Sequence, residues 1–375
     1  MKSVLQEIEK IRNNSAINVV DSFINRYTVL LQESNRLRTA YSFGVPIYNI
    51  RNGKIVDLRF HHTKQESVFI GSEARISISD RIKLFNQHGL CNITLQGALS
   101  KKTEDTVFFT NNMTSYEVRP TLNGIILTFE CASPSYQPQI RLHFDHSFVT
   151  VLSNNKFFSV MREKFIPFIT VSCIGALNVH EKVIAPCEVH YQKINDSEYV
   201  LSFFTTNKSH KRVAVEINMQ ETKLFQDTTV ESNNPTMNNA FGGISFLGTS
   251  KLFGEQLLYS RLEISNIAQL QSKKIISAIL HIPKLGYNPA PLTIKKIAER
   301  FCSFGSNWEN KIAITDTIAL SSESNGYYHL NMTKLLGNFR KKSENFVILG
   351  NSKKSSIIPT GDSFHTPQIL EVRYQ

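Results

Sequence analysis

The densest group of titratable side chains in this sequence is His143-Phe144-Asp145-His146, a pattern that could ligate a metal or shuttle a proton. On a strand, His143 and Asp145 share one face and His146 points to the other, so the three converge only through a bulge. A metal site built here would need further ligands from elsewhere, and His61-His62 has the same alternation problem. No metal is therefore expected, and no cofactor. Glycoside hydrolysis needs two carboxylates facing each other across a cleft, about 5–10 Å apart. The acids Glu130, Glu188, Asp227 and Glu309 are present, but no local spacing pairs them. Asn52-Gly53-Lys54 lacks the earlier glycine and the following Ser or Thr of a phosphate loop, and there is no Gly-x-Ser-x-Gly elbow. These residues point to a binding or structural module and away from an enzyme.

Contact chemistry is better represented. Aromatic rings offer flat apolar faces to sugar C–H groups, while Asn, Asp and Arg around them read hydroxyls. Tyr287, Trp308, Tyr327 and Tyr328 are the candidate ligand-binding residues, with Tyr259 nearby in sequence. Tyr287 lies in Gly286-Tyr287-Asn288-Pro289, a loop composition. Trp308, the single tryptophan, is better explained as a core anchor of the sandwich. The five cysteines, Cys91, Cys131, Cys173, Cys187 and Cys302, are odd in number and widely spaced within mostly apolar runs. They read as buried free thiols and not as a disulfide framework or a zinc site.

The elements that must position these residues are strands. Continuous apolar runs such as Ile125-Ile126-Leu127 and Ile275 to Ile282, and alternating ones such as Val213 to Ile217, have strand length and β-branched content. Gly and Asn clusters at 238–243 and 321–326 punctuate them as turns, and turn spacing near ten residues favours a sandwich over a parallel α/β sheet. The expected fold class is mainly β: an N-terminal helix, then one or more β-sandwich domains, then a C-terminal jelly-roll sandwich.

The predicted helix spans residues 1–38. Asn13, Asn14 and Ser15 supply capping side chains, and Val20, Phe23, Tyr27, Leu30 and Leu37 form a heptad stripe. Such a helix either lies against the sandwich behind it or self-associates, so these five residues are the expected oligomerisation surface. Residues 40–222 read as a β-sandwich region that could divide near 134–138, followed by a linker around 218–224.

Three groups of landmarks organise residues 224–375. Gln226-Asp227-Thr228-Thr229-Val230 is followed by Asn233, Asn234 and Pro235 and the Gly242-Gly243 turn. Leu257-Leu258-Tyr259-Ser260-Arg261-Leu262-Glu263-Ile264 precedes the Ile275–Ile282 strand. Asn307-Trp308-Glu309, the stretch from Tyr327 to Leu336 and the strand Pro367 to Tyr374 close the region. In this order they resemble the bacterial DNRLRE-domain family, a carbohydrate-binding-like jelly roll of surface and secreted proteins. The chain departs from that pattern where relatives place a second aromatic near the Trp308 strand and another where this sequence reads Leu335-Leu336-Gly337-Asn338-Phe339.

A chain of 375 residues suggests two or three domains. The charged fraction of 19% lies below the usual value of about 25%, while Asn, Ser and Thr are plentiful, as expected where outer strand faces carry hydroxyls and amides. The net charge of +11 is spread over short clusters such as Lys101-Lys102 and Arg340-Lys341-Lys342. They lack the interleaved aromatic platform of a single-strand binder, which argues against nucleic acid and leaves an acidic surface, such as a cell-wall polymer, as the charge complement. Met1 to Lys10 contains Glu7 and Glu9 and no apolar segment, so no secretory signal is expected, and no apolar run reaches membrane-spanning length. The expectation is a chain made in the cytoplasm that reaches a particle or cell surface by a non-classical route. The functional expectation is a non-catalytic structural or adhesive subunit of a bacterial, phage or spore assembly, forming homo-oligomers or larger structures. The alternative is a module that binds glycans or wall polymers.

Overall fold

The computed structural model describes residues 27–375 apart from 33–36, 45–47, 52–53, 58–62, 66–67, 71–73, 104–105, 122, 134–135, 147–149, 164–165, 206–211, 220–223, 264–272, 288–289, 338–342 and 364–365. The chain opens with β1 (Thr28–Gln32) and β2 (Arg38–Phe43), then the two-stranded sheet β3 (Tyr48–Arg51) and β4 (Lys54–Asp57). Next come β5 (Thr63–Gln65), β6 (Val68–Ile70), β7 (Arg75–Ile78), β8 (Ile82–Asn86), β9 (Gly89–Leu95), β10 (Ala98–Lys102), β11 (Val107–Thr110), β12 (Thr114–Pro120) and β13 (Gly124–Cys131). They are followed by β14 (Gln139–Phe144), β15 (Thr150–Ser153), β16 (Phe157–Glu163), β17 (Ile166–Leu177), β18 (Val183–Ala185), β19 (Cys187–Asn195), β20 (Glu198–Thr205) and β21 (Arg212–Asn218). The last stretch holds β22 (Phe225–Glu231), β23 (Ile244–Ser250), β24 (Gly254–Leu262), β25 (Ile275–Pro283), β26 (Thr293–Ile297), β27 (Ile314–Leu320), β28 (Ser322–Ser324) and β29 (Tyr327–Asn331). The one-turn helix α1 (Thr333–Leu336), β30 (Glu344–Leu349), β31 (Ser356–Pro359) and β32 (Ile369–Tyr374) complete it.

The chain divides into two compact units. One comprises 56–222 with 241–243, and the other comprises the preceding residues through 55, 223–240 and 244–375. In the first, a nine-stranded sheet (β10-β11-β12-β13-β21-β17-β16-β15, with β18 beside β17) faces an eight-stranded one (β19-β20-β14-β9-β8-β7-β6-β5) across a single core. The packing follows from alternation. Thr114, Tyr116 and Val118 of β12 point inward, and so do Ile140, Leu142 and Phe144 of β14. Between the sheets Phe129 meets Phe203 at 5.0 Å and Phe168 meets Phe144 edge-on at 6.0 Å. Strands from either side of 134–138 share both sheets, because β9 pairs with β14 and β13 with β21. The region is therefore one sandwich and not two lobes.

In the second unit a six-stranded sheet (β1-β2-β32-β25-β29-β28) packs on a seven-stranded one (β27-β26-β30-β24-β23-β31, with β22 beside β24). Leu280, Leu330 and Val372 from the first sheet meet Leu258, Ile294, Phe346 and Ile348 from the second in one core. An Asn325-Gly326 pair with φ of 49° and 82° makes the tight turn between β28 and β29, the left-handed geometry that Asn and Gly accept.

The expected N-terminal helix is not supported. Val20 and Phe23 lie outside the described residues, but Tyr27 immediately precedes β1, Leu30 lies within it, and both are buried in this chain. Thr28 pairs with Ser42 and Gln32 with Arg38, and Val29, Leu30 and Leu31 are buried on both faces. The apolar run Val29-Leu30-Leu31 suits a helical face and a buried strand equally well, and the ladder to β2 decides it. Leu37 is half-buried just before β2. Tyr27 and Leu30 are thus core residues and not an oligomerisation surface. Residues 40–55 also group away from 56–222, because β2 pairs along its whole length with the C-terminal β32, Arg38 opposite Tyr374 and Phe43 opposite Ile369.

Candidate functional site

The aromatic residues expected to bind ligand are dispersed. Tyr287 is 50% exposed in the connection between β25 and β26. Trp308 is half-buried against Val230, Leu257, Tyr259, Phe301 and Val347, its backbone N–H donates to Pro235 at 2.9 Å, and Lys311 Nζ sits 3.6 Å above its ring. Tyr327 and Tyr328 are buried and present no ring face to a ligand. They occupy opposite faces of β29, Tyr328 in the core and Tyr327 beneath His329. In the histidine-rich segment, the His146 ring lies 2.7 Å from Asp145 and all three polar members are exposed. No cluster of three or more metal-binding side chains occurs among the described residues.

The structure instead assembles a hydrogen-bonded chain on the outer face of the six-stranded sheet. Ser324 Oγ lies 2.7 Å from His329 Nε2, His329 Nδ1 lies 2.7 Å from His281 Nδ1, and His281 Nε2 lies 3.0 Å from Glu371. One proton arrangement satisfies every link: the Ser324 hydroxyl donates to His329, His329 Nδ1–H to His281, and His281 Nε2–H to the carboxylate. A serine backed by an oriented imidazole is the arrangement that activates a nucleophile. Here the serine stands on β28, whose three residues are all exposed, so water reaches the hydroxyl and an oxyanion formed there would be solvated instead of held by preorganised donors. Lys284 Nζ, 2.6 Å from Glu323 and 5.2 Å above the Tyr328 ring, lies on the other face, since Glu323 stands opposite Tyr328 in the register.

A second feature of this unit is a cleft of about 380 Å³ lined by Lys296, Arg300, Lys334, Glu299, Glu344 and Asn345 among others. Ile297 forms part of its wall and also packs against the apolar cluster beneath Trp308. Three cations and two carboxylates give it mixed polarity with a positive excess, suited to an anionic or polyhydroxylated ligand.

No family model matches the chain, and no curated protein matches it. The resemblance to the DNRLRE family therefore stands on its landmark strands alone. Among solved structures, the N-terminal domain of the Streptococcus gordonii adhesin Sgo0707 is similar over 96% of this chain and 95% of that one, at 8% identity and a TM-score of 0.18. A likeness this loose carries no argument about fold or function. No helix among the described residues is long and apolar enough to cross a membrane.

Proposed function

We propose that this chain is a non-catalytic structural and adhesive subunit of a bacterial or phage surface assembly, built from two β-sandwich units of which the C-terminal one is a DNRLRE-like jelly roll. The observation that carries the reading is the edge of the eight-stranded sheet. β19 ends that sheet, and from His190 to Asn195 every residue is exposed, with Tyr191 at 44% and Ile194 at 46%. Val189 N–H, on the side away from β20, is taken by Asn155. By alternation the N–H groups of Tyr191 and Lys193 also point away from β20, toward any strand laid alongside. A long edge with exposed apolar side chains is a template for pairing, and the occupant we assign is β19 of a second copy, antiparallel to the first. Light scattering should give a mass above the 42.6 kDa of one chain, returning to it in Ile194→Lys. A single-chain mass at every concentration defeats the reading. Ester or glycan turnover abolished by Ser324→Ala would defeat its non-catalytic part.

The mixed-charge cleft favours a second reading, recognition of an acidic glycan or wall polymer. On a glycan array, retention lost in Lys334→Glu would support it. Retention lost instead in Tyr287→Ala would move the site to that loop.

A further inference from the structure

Two of the five cysteines share one buried core and belong to different sheets. Cys173 lies in β17 of the nine-stranded sheet and Cys187 opens β19 of the eight-stranded one. The chain brings them together by a short path. β18 runs back along β17, with Ala176 opposite Ala185, and two residues later Cys187 begins β19, the edge strand of the facing sheet. Cys187 therefore stands at the corner where the chain passes from one sheet to the other. The Gly175 backbone, at φ of +133° and against the Ala185 carbonyl, permits the close approach of β18. Both thiols are buried in the core between the sheets, and one turn holds their two strands side by side: the Lys156 carbonyl accepts from Cys173 N–H at 3.0 Å and the Asn155 carbonyl from Val189 N–H at 2.9 Å. Cys91 and Cys131 sit in β9 and β13, and Cys302 is exposed in the other unit.

We infer that Cys173 and Cys187 are a disulfide-forming pair that staples the two sheets of the 56–222 unit when the chain meets a low-molecular-weight disulfide such as oxidised glutathione. The exchange balances in two steps. One thiolate attacks the oxidant's S–S bond, forms a mixed disulfide and releases one glutathione thiolate. The other then displaces the second glutathione, so two protein thiols are oxidised, one disulfide is reduced to two thiols, and two protons pass to them. Burial pushes the Cys173 thiol up, with Cys187 as a further cause, so thiolate is scarce in the closed core. The bond accordingly forms while the chain is folding or transiently open. It closes a short loop of chain, and oxidising exteriors preserve such bonds whereas the cytosol reduces them. The inference is independent of the assembly proposed above.

The test refolds the full chain from urea with oxidised glutathione, alkylates free thiols and maps peptides without reduction. The expected result is one cross-linked pair, Cys173 to Cys187, with Cys91, Cys131 and Cys302 alkylated, and a Tm raised by roughly 5–10 °C over the dithiothreitol-treated chain. Cys187→Ala should lose both the link and the redox-dependent shift, and Cys91→Ala should keep both. Five alkylated cysteines, a link through another cysteine, a link without a change in Tm, or a shift that persists in Cys187→Ala would each overturn the inference.

Discussion

Tyr259 concentrates several constraints of this fold in one side chain. Its ring lies in the core patch beneath Trp308, 6.1 Å from Phe301, and its hydroxyl donates to the Ile312 carbonyl at 2.9 Å. Burial of the hydroxyl pushes its pKa up to about 12. A folded-state pKa raised above that of the unfolded chain contributes stability that is complete below about pH 10 and is lost as pH rises through about 12. Tyr259→Phe should cost about 1 kcal/mol at neutral pH and move the alkaline unfolding midpoint upward, followed by circular dichroism. The Ser324-His329-His281-Glu371 chain is a residue-scale feature that was half legible. Leu280-His281-Ile282, Tyr328-His329-Leu330 and Leu370-Glu371-Val372 each set one polar residue between two core residues, which places all three on an outer strand face. What brings them together is the register, with His281 opposite both His329 and Ile369, and no local pattern encodes a pairing between segments so far apart in sequence. Tyr327-Tyr328 misled for a related reason: in a strand buried on both faces, composition does not separate a displayed aromatic from a packed one.

At the scale of elements, apolar runs of strand length identified strands, and Ile125-Ile126-Leu127, Val213 to Ile217 and Ile275 to Ile282 fall in β13, β21 and β25. The exception at the N-terminus is instructive, because a heptad stripe and a buried strand draw on the same apolar residues and only the partner strand separates them. β1 is bonded to β2, β2 to β32, and β32 to β25, so the first and last described strands belong to one sheet. Deleting residues 1–43 should therefore not yield a folded chain of lower oligomeric state. It removes Leu30 and Ala40 from the core and uncovers the full length of β32. The truncated protein should aggregate or lose its cooperative thermal transition in calorimetry, whereas a chain that keeps the wild-type Tm would show that β1 and β2 are dispensable.

For the molecule as a whole, the order of parts was legible only as a linear list, while both units are discontinuous in sequence and one holds both ends of the described chain. Long-range pairing of this kind is invisible to any local window. The whole-molecule claim is that copies of this chain join edge to edge through β19. Hydrogen–deuterium exchange on dilute and concentrated protein tests it most directly, because pairing would bury the outward amides of Tyr191 and Lys193. The account predicts that exchange across 190–195 slows as mass rises and that Ile194→Lys abolishes both effects. Unchanged exchange in that segment, whether mass rises or stays at one chain, would contradict it.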